Sequence, residues 1–598
     1  MSVGFDFGTT NSLVSVVVGD RVIDVMDVET GRPHPSVVRY EGEEVIVGRE
    51  AKDALGAAGI GVHGNTVKSP KFLLGEEVVA VGGVDRSPVD IVSDVVRHVR
   101  AESLRSPQRN VLGDLDNAVV TIPVIMNGLR RAALREAFAG AGMNVVQFVH
   151  EPLAALYGFI RGAKDPEEMS RRLARRNVLV VDWGGGTLDL TLCRVDDSQI
   201  RQLRNGGSDQ VGGDEFDKVI RDEVVNRFRA REGVGDSDLA SPEAQLRLLQ
   251  DAERNKIELS ADRVDVTFYR PSYFQSGGTL QYQLTRQELE EITRPLVTAG
   301  IAEIESLLDS LSMAPGQVAL VVVVGGMAAM PAIRRRLHEL FGPDRVEVPL
   351  NSATLISQGA AWIAHDRERL RLAKPIELEL ARGSRMPLLL AGTEMPMGGE
   401  VKSERVHLFC ADPTDGIAKF PIATPTRLAA HPQASAHRTS LGIVTIKVDE
   451  TAPPLHERLE LEVVLDDDLV LSLTASSSQR QDEATSQYYD LEFGLGLPNG
   501  AGPRGDQDPK ESDEAGVRLA PGLVVRANVT RDKDLSAVPG DVLYKHNSSA
   551  FARHLENRPG GATHSQVLER LYYQPCSGCG RVWGDPKCRC GTVGNGKR

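Results

Sequence analysis

The chain has 598 residues, a formal net charge of −14, 41% hydrophobic residues, 5% aromatic residues and 58 glycines. That length and balance predict three or more globular domains and exclude a wholly disordered or fibrous chain. The acidic total argues against a nucleic-acid partner, and the longest apolar stretch, Val318–Met330, falls well short of the ~20 residues that cross a bilayer. The opening MSVGFDFG has neither the basic start nor the apolar core of a signal peptide, so the expected location is the cytoplasm, away from membranes.

From residue 1 to about 366, short β-branched runs such as Val178–Val181 and Val321–Val324 alternate with helix-period segments such as Pro331–Phe341, an α/β pattern. Two stretches within it resemble each other: VGFDFGTTNSLVSVVV from Val3 and VVDWGGGTLDLTLCRV from Val180. Each reads as an apolar strand, an aspartate, a turn rich in Gly and Thr, and a second apolar strand. Asp6 and Asp182 fall a domain-sized interval apart, which predicts a duplicated domain with one hairpin in each half.

After Asp366 comes a basic connector, RERLRLAKP, in which Leu370 and Leu372 are the principal apolar side chains. Leu459, Leu461, Val463 and Leu465 then alternate with Glu460, Glu462 and Val464, and after Asp466–Asp468 the alternation resumes at Leu469, Leu471 and Leu473. With VHLFCA from Val406 and GIVTIKV from Gly442, this hairpin predicts a β-sandwich over 375–497. The polar run 498–522 reads as a flexible linker, and 523–598 as a small C-terminal domain.

The paired hairpins carry the chemistry. Glycines at a strand turn let backbone N–H groups face a concavity where phosphate oxygens can sit, since no Cβ blocks the approach. Gly8 with Thr9 and Thr10, and Gly184, Gly185 and Gly186 with Thr187, supply such turns. Asp6 and Asp182 immediately precede them, suited to a magnesium ion that keeps its waters. One DxGT turn is as well read as a structural turn; two at domain spacing predict a clamp on a triphosphate.

On these residues the chain resembles the 70-kilodalton heat-shock chaperones of the actin-like ATPase superfamily, strongly over about 1–366 and weakly over 375–497. GFDFGTTNS, including Asn11, matches that family's first phosphate loop, and VKSPKFLLG places Lys71 at its catalytic lysine. VVTIPVIMNGLRRAAL puts Pro123 and Arg131 at its interdomain-signalling pair, and HEPLAAL puts Glu151 at its catalytic glutamate. VDWGGGTLDL resembles the second phosphate loop, with Asp182, Thr187 and Asp189 in catalytic positions. NGGSDQVGGDEFD, with Gly212 and Gly213, resembles the segment that follows it. AERNKIELS and VVVVGGMAAMP, with Glu253, Lys256, Ser260, Gly325 and Gly326, resemble the adenosine site. Glu253, Lys256 and Ser260 are also spaced to share one helix face.

The resemblance implies an actin-like two-lobed ATPase domain followed by a substrate-binding β-sandwich. It also implies slow ATP hydrolysis with magnesium, ATP and ADP as ligands, extended polypeptide clients and a nucleotide-exchange factor. The chain departs from the family at Ala329, where an adenine-stacking arginine is expected, at Ala353 near the ribose, and at Gln147, where the family meets J-domain co-chaperones. The basic connector departs too, so J-domain coupling is not expected. Two alternatives stay open: a nucleotide-sensing adaptor with little turnover, and a small-molecule kinase or filament former on the same fold.

Of six cysteines, four fall in CSGCGRVWGDPKCRC. Cys576, Cys579, Cys588 and Cys590 on two short turns suit a structural tetrahedral zinc, with redox dithiols or unpaired thiols as alternatives. Cys193 and Cys410 read as inert core residues.

Overall fold

The computed structural model describes residues 2–498, apart from 56–60, 197, 236–237, 239, 262, 382–383, 429–436, 454 and 478, together with Val542–Tyr544. The chain divides into two compact units. The first comprises Met1–Leu370 together with a returning segment that begins at Glu492; the second takes in Arg371–Leu491.

Two sheets organise the first unit, and they share one plan. In one, Asn144–His150, Asn117–Ile122 and Ser2–Phe7 run parallel, and Asn11–Val18 and Arg21–Val25 follow antiparallel. In the other, Val346–Glu347, Val318–Val324 and Arg176–Trp183 run parallel, followed antiparallel by Leu188–Val195 and Gln199–Ser208. Asp6 and Asp182 occupy equivalent places near the ends of the central strands, as the duplicated hairpins imply. Strands buried on both faces account for the uninterrupted valine runs: Val178, Val180, Val181 and Val321 to Val324 are all inaccessible to solvent.

Helices Glu151–Arg161 and Leu355–Asp366 cross where side chains are absent. A Cβ on Gly359 would sit 1.8 Å from the Ala154 carbonyl oxygen, so only glycine permits that approach. At the far end Asp366 accepts from Arg161 (2.7 and 2.9 Å) and from the Tyr157 hydroxyl (2.7 Å). Over the first lobe a small sheet carries Thr66–Lys68. Over the second lie the helices Gly213–Glu232, Pro242–Ser260 and Arg286–Ser310, the last closed by a Thr285–Glu288 capping box.

The second unit contains two antiparallel sheets. One orders Ser384–Leu389, Ile376–Leu380, Ile417–Pro425 and Arg438–Lys447; the other Glu483–Tyr488, Leu471–Ser477, Arg458–Asp466 and Val401–Cys410. Leu459, Leu461, Val463 and Leu465 are buried as the alternation predicts. Their hairpin turns on the Asp466 carboxylate, which accepts from the Asp468 and Val470 amides (3.1 and 2.9 Å). Val542–Tyr544, expected in a separate tail domain, pairs with Val401–Cys410.

Phe493–Gly496 also differs from its expected place at the end of the sandwich. It pairs antiparallel with Gln199–Ser208, aligning Ile200 with Leu495, and so extends the second lobe's sheet. Phe493, Leu495 and Leu497 are buried there. An edge strand offers unpaired N–H and C=O groups, and an apolar segment of the right length satisfies them. The linker 498–522, beyond Pro498, and the cysteine cluster lie outside the described residues. Cys193 and Cys410 are buried, and burial pushes the Cys410 thiol up to about 12.

Candidate nucleotide site

The two hairpins face each other at contact distance. A Cβ on Gly185 would lie 2.3 Å from Thr10 Oγ1, and one on Gly186 2.9 Å from Thr9 Cγ2. Each turn is pinned from behind. Ser36 donates from its amide to the Thr10 carbonyl (3.0 Å) and from its hydroxyl to the Gly8 carbonyl (2.9 Å). The Gly184 amide closes its own turn on the Thr187 carbonyl (2.9 Å). Gly213 and Asp214 amides then donate to the Gly184 and Gly185 carbonyls (3.1 and 2.7 Å), locking the start of a long helix onto the second turn.

Lys71 sits beneath this meeting point. Ser69 takes a left-handed conformation (φ 59°) and Pro70 starts a short 3₁₀ turn that aims Lys71 inward. Its Nζ donates to the Phe7 carbonyl (2.7 Å) and to Glu151 Oε1 (2.8 Å), and both side chains are buried. Glu151 is the first residue of its helix, where a carboxylate also meets the positive end of the helix dipole.

Around this ion pair stand three further carboxylates. Asp6 accepts from the Thr121 hydroxyl (2.8 Å), and Asp189 accepts from the Val124 amide (3.0 Å) and from Thr187. Asp182 and Asp189 lie opposite each other across their strand pair. Burial, followed by repulsion from Glu151, pushes Asp6 and Asp189 up to about 7 and holds Asp182 well above the ordinary carboxylate range. Four acids facing one lysine are underneutralised, and Asp189 Oδ2 is buried without a hydrogen-bond partner. These residues fit a divalent cation.

The helix-borne residues gather nearby. Lys256 Nζ donates to the Gly213 carbonyl (2.9 Å) and pairs with Asp217 (2.9 Å). Ser260 shares that face, although its hydroxyl is engaged by the Lys256 carbonyl (2.7 Å). Gly325 adopts φ 83°, and a Cβ there would strike Asp182 Oδ1 at 2.6 Å; Gly326 follows in the open. Gly212 packs backbone to backbone on Gly186. Asn11 is exposed at the start of its strand. Ala329 and Ala353, the departures on the nucleoside side, are both exposed.

Sequence reasoning missed Lys68, Asp214 and Asp217. Lys68 Nζ lies 3.4 Å from Asp214 Oδ1 and 3.8 Å from Glu253 Oε2. A lysine in VKSPKF looks like surface charge, and only the three-dimensional meeting of both halves reveals its partners. Burial pushes Asp217 up to about 6 despite Lys256.

Gln147, too, has an unforeseen task. Its Nε2 donates to the Glu368 carbonyl (3.3 Å) and its Oε1 accepts from the Leu370 amide (2.9 Å), so one amide holds the connector as a strand partner would. Glu368 and Leu370 are buried while Arg367 and Arg369 point outward, so neither of these arginines bears the cost of burying its charge. The Glu368 carboxylate accepts from the Gly496 amide (3.1 Å), and Gln202 Oε1 from the Phe493 amide (2.8 Å). Phe493 in turn packs against His150, with ring centroids 5.2 Å apart and planes tilted by 60°. Pro123 and Arg131 are both buried.

Among the described residues no group of three or more His, Cys, Asp or Glu is arranged to hold a metal ion. No described helix is long and apolar enough to cross a membrane.

A family model described as Hsp70 protein matches residues 2–98 and 77–368. Among curated proteins, the chaperone protein DnaK of Thermosipho melanesiensis is 31% identical over 365 residues, 60% of this chain and 58% of the relative. That of Cenarchaeum symbiosum is 31% identical over 368 residues (60% and 53%), and that of Thermotoga neapolitana 30% over 351 (57% and 55%). The match thus spans a little over half the length of these relatives and lies within the two-lobed unit that carries the facing hairpins. The chain is a member of the Hsp70 protein family.

Proposed function

We propose that this protein is a chaperone-like ATPase that binds ATP with magnesium, hydrolyses it slowly, and uses the nucleotide state to control polypeptide binding by the second unit. The observation that carries the reading is the contact of the two Gly/Thr turns above a buried Lys71–Glu151 pair and three aspartates. Phosphoryl transfer needs positioning and charge neutralisation more than covalent chemistry, and this arrangement offers both.

In this reading the amides of the Gly8 to Asn11 turn and of Gly185 to Thr187 cradle the phosphates from two sides. Asp6 and Asp182 would hold a magnesium ion, which would supply neutralisation of phosphate charge. Lys71, fixed by the Phe7 carbonyl and Glu151, offsets charge developing on the transferred group. Glu151, Thr187 and Asp189 orient the attacking water, with Lys71 offsetting the charge that develops. Glu253, Lys256 and Ser260 receive the nucleoside. Polypeptide clients and a nucleotide-exchange factor are proposed from the family; J-domain coupling is not, because Gln147 is engaged by the connector. The zinc proposal for the four cysteines rests on their spacing alone.

Calorimetric titration with Mg-ATP, followed by peptide capture with ATP and with ADP, tests the proposal. Tight ATP binding with nucleotide-dependent peptide capture is expected; no ATP binding would overturn it. The adaptor reading draws on Ala329 and Ala353, which remove an adenine-stacking and a ribose-side group. ATP binding without turnover would favour it.

A further inference from the structure

Two carboxylates, Asp214 and Glu253, converge on one buried lysine that the proposed chemistry leaves unused. Lys68 ends the strand Thr66–Lys68, paired with Val37 in the first lobe's small sheet, and is 7% exposed. Its ammonium reaches out of that lobe to two carboxylates of the other. Asp214, at 3.4 Å, is tied by its own amide to the Gly185 carbonyl and therefore moves with the second phosphate turn. Glu253, at 3.8 Å, lies one helical turn before Lys256, which is itself bonded to the Gly213 carbonyl. One cation thus joins the first half of the chain to both the phosphate side and the nucleoside side of the second.

The energetics give that position a consequence. Lys68, Lys256 and, through its charge, Lys52 act on Asp214, Asp217 and Glu253, so without Lys68 three carboxylates would face two cations. Asp214 Oδ2 is buried without a hydrogen-bond partner. Removing Lys68 would leave buried carboxylates beside a site meant for an anion, and would free Glu253 to turn away. A surface ion pair would matter little; one between nearly covered groups does.

We infer that Lys68 is a positioning residue of the nucleotide site, which holds Glu253 and the Asp214-anchored turn in the geometry that accepts a nucleoside phosphate. The inference rests on the proposed ATP-binding function. It assigns Lys68 to affinity, not to the chemical step, because Glu151 is paired with Lys71 while Lys68 is paired with Asp214 and Glu253. The expected ligand class is the magnesium complex of a purine nucleoside di- or triphosphate, and ADP should depend on Lys68 as much as ATP does, since the contacts do not involve the terminal phosphate.

The test uses the full chain with Lys68→Met, Lys68→Arg, Glu253→Gln and the Lys68→Met/Glu253→Gln double variant. Kd values for Mg-ATP and Mg-ADP are measured by calorimetry, with KM, kcat and the unfolding temperature without nucleotide. Lys68→Met should weaken both nucleotides about tenfold, the effect of ~1.4 kcal/mol, and raise KM in step while kcat changes less than about threefold. Lys68→Arg should recover most of the affinity, and the double variant should bind no more weakly than the worse single one. Should Lys68→Met fail to fold, Glu253→Gln and Lys68→Arg report on the same pair. Unchanged Kd for both nucleotides, a fall in kcat at constant KM, or additive effects in the double variant would overturn the inference while leaving the proposed function intact. Failure of the parent to bind either nucleotide would overturn both.

Discussion

Replacing Gln147 with leucine should loosen the connector at one identifiable amide. The side chain is buried and spends both ends on the connector backbone, accepting from Leu370 N–H at 2.9 Å and donating to the Glu368 carbonyl at 3.3 Å. Leucine fills similar volume but satisfies neither group, and a buried backbone group left without a partner costs about 1–3 kcal/mol. The shorter bond dominates, so the expected loss is ~1–3 kcal/mol, or about 5- to 150-fold faster hydrogen exchange at the Leu370 amide. Full release is not expected. The Leu370 side chain is inaccessible to solvent, worth roughly 1.5–3 kcal/mol, and Glu368 still accepts from Gly496. Exchange measured by mass spectrometry on peptides covering 363–372, with helix Glu151–Arg161 as internal control, decides the matter. Unchanged protection at Leu370 with a stably folded variant would refute the claim that Gln147 holds the connector.

Three other outcomes follow from the geometry. Gly212→Ala places a Cβ 2.3 Å from the Gly186 backbone carbon, which cannot rotate aside, so Mg-ATP affinity should fall at least about tenfold; equal Kd by calorimetry would contradict the packing argument. Burial, followed by the nearby Arg131, holds His150 at about 3 against an ordinary 6.5, so the unfolded state gains protons first as pH falls. The first unit should therefore lose ~2 kcal/mol from this group between pH 7 and pH 5, seen as a parent-minus-His150→Gln difference in urea unfolding; a difference independent of pH would exclude it. Phe493→Asp should detach the returning strand and expose the Ile200 amide to exchange, because a charge there cannot stay buried against His150; persistent protection would count against that strand pairing.

The two-lobed plan was legible because it is written twice. Two runs of apolar strand, aspartate, glycine-rich turn and apolar strand sit at a domain-sized interval, and local pattern suffices to read them. The alternation from Leu459 to Leu473 foretold one face of the sandwich for the same reason. What escaped were features made by distant meetings. FGLGL after Glu492 has strand-forming apolar residues whichever sheet receives it, and nothing local says that Gln199–Ser208 has a free edge. Lys68 and Gln147 are ordinary polar residues in sequence; their roles depend on Asp214, Glu253, Glu368 and Leu370 arriving from elsewhere. In the basic connector only the fold shows that Arg367 and Arg369 lie outward while Glu368 and Leu370 are buried.

The most direct test of the central claim, that the facing hairpins and the Lys71–Glu151 pair form a magnesium-dependent ATP-hydrolysing site, is single-turnover hydrolysis of ATP by the parent and by Lys71→Ala, with Mg-ATP binding measured on the same samples. The account predicts slow hydrolysis that requires magnesium, and a loss of at least about 100-fold in Lys71→Ala while its Mg-ATP Kd changes only a few-fold. Hydrolysis by Lys71→Ala at the parent rate, or a parent that neither binds nor cleaves ATP in the presence of magnesium, would contradict it.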